Sequence, residues 1–427
     1  MTIARSLLFI LLVFIMDNSE AQPQDANYDE AKVPEYKLPV ILEGRNETRV
    51  SSKQQWEQKR RVEILGLFAE HMFGKAPLAQ INTSFRVTTT NPSALQGKAT
   101  MKIVAATFTR GSVTHEMPIL IFLPNAAVKP VSLFIGLNFN GNHTIVSDPD
   151  VPLPGNWVRN SPDAGITDNR ATERNRGSAS SRWPIEMIVG SGFGVATIYN
   201  GDIDPDYDDF SNGVHRLFYG DGQTSPAPDE WGTIGAWAWG LSRAMDYFEQ
   251  DHDIDQSRVA LLGHSRLGKA ALWAGAQDER FAIVISNDSG CGGAALSRRR
   301  FGETVKRINE SFPHWFCDNL SKYNDKEDAL PFDQHMLLSL IAPRPVYVAS
   351  ASEDLWADPK GEYLSLYHAQ EVYALYGFDP VLKPEVPSIG EPISTPVFGH
   401  HIREGGHDIT EYDWRQYIAF AKLHFEK

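Results

Sequence analysis

Cysteine is nearly missing from this chain: there are two among 427 residues, Cys291 and Cys317. That excludes a disulfide framework and a Cys-based zinc module. The two thiols lie on either side of a loop and a helix, and a single bridge between them stays open in an oxidising compartment. Basic residues are also in deficit. Lys plus Arg number 40 against 54 Asp plus Glu, a formal net charge of −14, which argues against a nucleic-acid phosphate backbone as the main partner. Beyond residue 16 no apolar run is long enough for a membrane helix. Internal repeats and low-complexity tracts are absent too. What remains is ordinary, with 42% apolar and 22% charged residues. Such a chain buries a large core and is neither disordered nor fibrous.

The first residues carry a recognisable address. Arg5 precedes an apolar run over residues 7–16, followed by Ser19-Glu20-Ala21. A charged start, a short apolar stretch and a small-x-small exit read as a secretory signal peptide, cleaved after Ala21. No cysteine follows the run, which argues against a lipoprotein. The expected location is secreted or periplasmic, without membrane attachment after cleavage. The low cysteine count favours a bacterial source. Residues 22–50 are polar with scattered proline and are expected to wrap the body or stay disordered. Residues 51–427 are expected to form a single domain.

Within that domain the pattern changes character. Residues 54–73 have helical spacing, through Val62, Leu65, Leu67, Phe68 and Met72. Strand-like runs follow at 100–108 and 117–123. Continuous apolar runs then recur at 131–138, 193–199, 259–263, 282–286 and 345–350. Helical stretches lie between or after them at 231–250, 267–276, 361–376 and 411–425. Continuous apolar strands alternating with helices predict a buried, mostly parallel sheet in a three-layer α/β sandwich. Residues 140–183 break the pattern with a long polar, loop-rich insertion. It follows a sheet strand and should lie over the carboxyl ends of the strands, where open α/β sheets bind ligands.

The strongest local signal is the run Val259-Ala-Leu-Leu-Gly-His-Ser-Arg-Leu-Gly-Lys269. An apolar strand enters Gly-His-Ser and leaves directly as a helix, the nucleophile elbow of α/β-hydrolases. Gly263 admits the tight turn, Ser265 is lifted above the sheet, and the Arg266 N–H points at a developing oxyanion. Leu267 stands where a second glycine is usual, and Gly268 comes one residue later. The base in such a fold comes last in the chain. His407, in Glu404-Gly-Gly-His-Asp408, fits that place; His400 and His401 lie nearby without metal-ligand spacing. Two carboxylates at strand ends compete to orient the imidazole, Asp354 and Asp288. The acidic run Asp202, Asp204, Asp206, Asp208 and Asp209 has the alternation of a calcium loop but reads better as solvated loop acids.

These residues resemble a known family. Gly-x-Ser-Arg-x-Gly-Lys at 263–269, Asp-Ser-Gly-x-Gly-Gly at 288–293 and Trp-Ala-Asp-Pro at 356–359 look like the glucuronoyl esterases of carbohydrate esterase family 15. The likeness is closest to the bacterial members and spans roughly residues 55–425. It implies a secreted, cofactor-free and metal-free serine esterase on the α/β-hydrolase fold. Such an enzyme cleaves the ester between (4-O-methyl-)glucuronic acid on xylan and lignin alcohols. The resemblance makes Ser265 the nucleophile, His407 the base and the Arg266 guanidinium an oxyanion helper. It makes Lys269, Trp356 and Glu303 sugar contacts. Many members carry Glu where Asp288 stands, whereas Asp354 matches an alternative acid of some bacterial members; Asp354 is therefore preferred. His264 replaces the cysteine that fungal members carry before the serine. The partners implied are glucuronoxylan and lignin–carbohydrate esters, with no nucleic acid, and the chain is expected to act as a monomer. Competing readings are an acetyl xylan esterase or acyl-peptide hydrolase on the same fold, and a carbohydrate-binding protein without turnover.

Overall fold

The computed structural model of the chain describes residues 23–426. The expected signal peptide lies outside the described residues. One sheet holds the strands β1 Asn82–Ser93, β2 Ala99–Arg110, β3 Val113–Pro124, β4 Val131–Asn138, β5 Gly194–Tyr199, β6 Ile254–His264, β7 Ile283–Asn287, β8 Val346–Ala351, β9 Ile393–Ser394 and β10 Phe398–Arg403. Their order is β1-β2-β3-β5-β4-β6-β7-β8-β10-β9. The inner strands β5, β4, β6, β7, β8 and β10 run parallel. The meander β1-β2-β3 is antiparallel and joins β5 antiparallel.

The continuous apolar runs are explained by burial on both faces. Side chains alternate across a strand, so Leu133 and Ile135 join one core while Phe134 joins the other. The first core is closed by Phe68, Trp237, Leu272 and Leu366, from helices Arg61–His71, Thr233–Phe248, Arg266–Gln277 and Pro359–Ala374. The second is closed by Ile188, Trp414 and Tyr417, from helices Ile185–Gly190 and Glu411–Phe425. Helices on both sides of the sheet give the expected three-layer sandwich.

Three strands escaped the sequence reading: β1, β10 and the two-residue β9. β1 is mostly exposed along its length, so it shows no apolar alternation. β10, Phe-Gly-His-His-Ile-Arg, is wholly buried but carries polar side chains. His400 donates from Nδ1 to the Val348 carbonyl at 2.8 Å, and His401 donates from Nε2 to Asp413 at 2.8 Å. Burial, with His401 beside it, lowers the pKa of His400 to about 3. Both rings are thus neutral or paired members of the sheet. Cys291 and Cys317 are buried free thiols, so the possible bridge is not formed.

The polar N-terminal stretch is anchored from its first described residues. Asn27 bridges Gly302 in antiparallel fashion. Glu30 pairs with Arg299 and with Lys360, the latter at 2.6 Å. The insertion 140–183 consists of turns and short 3₁₀ segments. It is tied down by Tyr199, whose hydroxyl donates to the Trp157 carbonyl at 2.6 Å, and by Trp414, whose indole donates to the Arg182 carbonyl at 2.8 Å.

Candidate active site

The corner between β6 and the helix Arg266–Gln277 is set by two close approaches. A Cβ on Gly263 would meet the Leu267 carbonyl oxygen at 2.1 Å, and one on Gly268 would meet the Ser289 Cβ at 2.9 Å. Gly268 therefore does the packing work usually given to the glycine one residue earlier. Ser265 sits between them at φ 56° and ψ −133°. That conformation is costly for a non-glycine residue. It is held by the Ser265 N–H, which donates to the Asn287 carbonyl at 2.9 Å. Ser265 is partly exposed although its flanking strand is buried, the geometry of a presented nucleophile.

His407 occupies the loop after β10. Its Nδ1 donates to Asp354 Oδ2 at 2.6 Å; the Asp354 side chain is 2% exposed and that of His407 is 37% exposed. The His407 ring lies against that of His264, with centroids 4.7 Å apart. Residue 264 immediately precedes the nucleophile, so the imidazole stands beside the elbow. His264 in turn donates from Nδ1 to the Asn287 side-chain oxygen at 2.6 Å. Burial and then the neighbouring His407 hold His264 well below the ordinary histidine range, so it is a neutral platform. Arg403 fixes the loop by donating to the Gly406 carbonyl at 2.8 Å and the Asp408 carbonyl at 2.7 Å.

Asp288 reaches the same place by a different route. One ligand atom from each of Asp288, Asp354 and His407 lies within 4.8 Å of the others. Yet neither Asp288 oxygen has a hydrogen-bond partner, and its nearest cation, Arg403, stands at 3.6 Å. Burial, with Asp354 and Glu362 as the next causes, pushes its carboxyl well above the usual range. A neutral acid is a poor partner for an imidazolium. The hydrogen bond to His407 belongs to Asp354. With His407 Nδ1 already committed to Asp354, the cluster suits proton transfer better than cation binding.

The Asp288 loop is suspended from a residue that sequence reasoning missed. Glu362 Oε1 accepts from the N–H groups of Ser289 and Gly290, at 2.8 and 2.9 Å, and Oε2 accepts from the Ser350 hydroxyl at 2.6 Å. Burial raises its pKa to about 7. The sequence offers no sign of this, since Glu362 looks like any acid in the first turn of a helix.

The residues implied as sugar contacts are adjacent. Lys269 is buried; its Nζ donates to the Ser289 carbonyl at 2.8 Å and lies 3.8 Å from Glu303. The Glu303 N–H donates to the Trp356 carbonyl at 3.1 Å. Burial raises the Glu303 carboxyl, and Lys269 opposes that shift. Trp356 is partly exposed. On the other side of the elbow, a recess is lined by Phe139, Arg182, Trp183, His264 and Ile409. Arg182 pairs with Asp408 at 2.6 Å, which brings the insertion against the His407 loop.

Asp208 of the acidic run is exposed, as expected, but the first three acids depart from expectation. Asp202, Asp204 and Asp206 are buried, not solvated. Asp204 accepts from the Thr233 hydroxyl at 2.6 Å and faces His215 at 3.1 Å. Asp206 lies 2.8 Å from Arg266 Nε. The spacing that resembles a cation loop instead places carboxylates against protein donors.

Proteins similar to this chain in sequence and fold are esterases. A family model described as "Glucuronyl esterase, fungi" matches residues 187–377. The chain is similar to a solved promiscuous CE15 esterase from a marine bacterial metagenome, at 52% identity and TM-score 0.88, over 94% of this chain and 100% of that one. It is similar to the glucuronoyl esterase from Solibacter usitatus, at 47% identity and TM-score 0.87, over 93% of this chain and 100% of that one. A curated 4-O-methyl-glucuronoyl methylesterase of Phanerochaete chrysosporium is 32% identical over 213 residues, covering 46% of this chain and 44% of that protein.

Proposed function

The chain belongs to carbohydrate esterase family 15, the glucuronoyl esterases, and on that premise we propose how its residues divide the work of ester hydrolysis. It is a carboxylic ester hydrolase acting on glucuronoyl esters. Ser265 Oγ attacks the uronate carbonyl while His407 takes its proton. Asp354 holds the imidazole in the tautomer with hydrogen on Nδ1 and stabilises the imidazolium. The Arg266 N–H and guanidinium stabilise the oxyanion. The C–O bond to the alcohol breaks, and His407 returns the proton to the leaving oxygen. Water, deprotonated by the same histidine, then attacks the glucuronoyl-enzyme and releases the acid and free Ser265. No cofactor enters either step.

Lys269, Glu303 and the Trp356 ring form the sugar end of the cleft, charged groups beside an aromatic wall. The insertion 140–183 forms the opposite wall and receives the alcohol. Glucuronoxylan esterified to lignin alcohols is the substrate that fits this division. Read as a signal peptide, the apolar N-terminal run supports a location outside the cytoplasm, where such polymers are found. Residues 51–427 act as one catalytic unit, as a monomer.

The observation that carries the reading is the 2.6 Å hydrogen bond from His407 to Asp354, beside a serine held at φ 56°. Hydrolysis of benzyl glucuronate and of acetylated xylan, by wild type and Ser265→Ala, tests it. Release of benzyl alcohol by wild type alone is expected. Release of acetate without benzyl alcohol would reassign the enzyme to acetyl esters, and turnover by neither route would leave a binding protein.

A further inference from the structure

The acidic run at 202–209 plays no part in the mechanism above, yet its third carboxylate touches the machinery. Asp206 Oδ2 lies 2.8 Å from Arg266 Nε, the guanidinium nitrogen nearest the stem. Oδ1 accepts from the Trp315 indole at 2.7 Å and from His314 Nε2 at 3.0 Å. The Asp206 side chain is 6% exposed. Its surroundings are themselves fixed. The N–H groups of Thr233 and Ile234, at a helix start, donate to the carbonyls of His314 and Trp315 at 2.8 and 3.1 Å. Two residues earlier, Asp204 is locked to Thr233 and His215. Arg266 is gripped on two further sides: its Cζ lies 4.6 Å from the Phe139 ring centroid and 5.8 Å from that of Trp315. Arg159, from the insertion, donates to the Asp206 carbonyl at 3.3 Å.

We propose that Asp206 is the positioning residue for Arg266, fixing the guanidinium beside Ser265 before the oxyanion forms. The proposal rests on the oxyanion role given to Arg266 above. Backbone geometry fixes the Arg266 N–H but not its long side chain, which has many rotamers to choose from. A donor that must find its place during the reaction loses much of its worth, whereas one already aimed does not. The charge pair at Nε, together with the Phe139 and Trp315 rings, confines the guanidinium to one place. Burial by itself would raise the Asp206 carboxyl, but Arg266, followed by His314 and Trp315, holds it below the ordinary range. These partners therefore favour the ionised form of the anchor. A carboxylate so close also cancels part of the arginine's field. The proposal states that aiming outweighs this cancellation.

A double-mutant cycle decides the matter, with Asp206→Asn, Arg266→Ala and the double variant assayed on benzyl glucuronate. Asp206→Asn keeps the acceptor for Trp315 and removes the charge. Its kcat is expected to fall about tenfold or more, with KM changed less than about threefold. In the Arg266→Ala background the same substitution is expected to cost nothing further, within about twofold. An unchanged or raised kcat in Asp206→Asn, or losses that multiply in the double variant, overturns the proposal. Arg266→Ala at wild-type kcat overturns instead the oxyanion reading beneath it. If Asp206→Asn does not fold, judged by far-UV circular dichroism, Trp315→Phe takes its place. It withdraws one donor from Asp206 and keeps a ring beside Arg266. A fall in kcat of about threefold that vanishes in the Arg266→Ala background supports the proposal, and one that persists there sinks it.

Discussion

The imidazole of His407 rests on the imidazole of His264, ring centroids 4.7 Å apart and planes tilted by 37°. Asp354 holds the same ring by its Nδ1 edge. The base is thus located by one polar contact and one packing contact, the second supplied by the neighbour of the nucleophile. His264→Ala removes the packing contact and leaves the Asp354 hydrogen bond. We expect kcat to fall about tenfold with KM little changed, as for loss of an orienting contact. Steady-state kinetics at saturating ester measure it; an unaltered kcat would reduce His264 to a core residue.

Ser265→Ala is expected to lower kcat at least about ten-thousand-fold. Its fold should persist, because the contact that holds the corner is made by the Ser265 backbone N–H. Thermal melting and glucuronate binding, both retained, separate loss of chemistry from loss of structure.

The two acids differ in their hydrogen bonds, since Asp354 engages His407 and Asp288 has no partner, and their amides should differ in consequence. Asp354→Asn removes the anion that receives the His407 proton and favours the wrong tautomer, for an expected loss of about a thousand- to ten-thousand-fold in kcat. Burial pushes the Asp288 carboxyl toward its neutral form, which asparagine copies. Asp288→Asn should stay within about fivefold of wild type. The two kcat values, measured side by side, decide between the acids; a greater loss in Asp288→Asn would reverse the assignment.

Gly263→Ala places a methyl group 2.1 Å from a backbone oxygen, which no side-chain rotation relieves. Destabilisation of about 1–3 kcal/mol or more is expected, together with loss of activity as the corner shifts. Urea unfolding and the ester assay read the two effects.

Glu362 makes stability depend on pH. Its pKa stands at about 7 in the folded chain against an ordinary 4.5. Between those values the folded chain holds a proton that the unfolded chain has released. The contribution is therefore complete below the lower value and is lost as pH rises to the upper one. Wild type should lose stability across that window relative to Glu362→Gln, which has nothing to titrate. Urea midpoints at several pH values test this, and parallel curves for the two proteins would contradict it.

The sequence announced those parts of the fold whose physics is local. Runs such as residues 131–137 must be buried on both faces because every residue is apolar or small. The elbow at Ser265 is legible because a glycine, a serine and an immediate helix start leave few alternatives. β1 is illegible because Asn82–Ser93 lies largely in water on both faces. β10 is illegible because His400 and His401 look like loop residues until Val348 and Asp413 satisfy them. Asp206 reads as solvated for a similar reason: its partners Trp315 and Arg266 lie far away in sequence, and nothing local forecasts them. The same holds for Glu362, whose hydrogen bonds reach back to Ser289 and Gly290.

The antiparallel bridge between Asn27 and Gly302 puts the chain's early residues next to Glu303. Tyr28 stands edge-on to Phe301, and its phenol, raised to about 12 chiefly by burial, also feels Asp354 and Glu303. One rim of the catalytic basin is therefore borrowed from a strap far from the acyl-transfer residues in sequence. Grafting a different strap onto the same hydrolytic engine would recut that rim while leaving Ser265, His407 and Asp354 untouched, a modular handle for tuning which ester the enzyme admits.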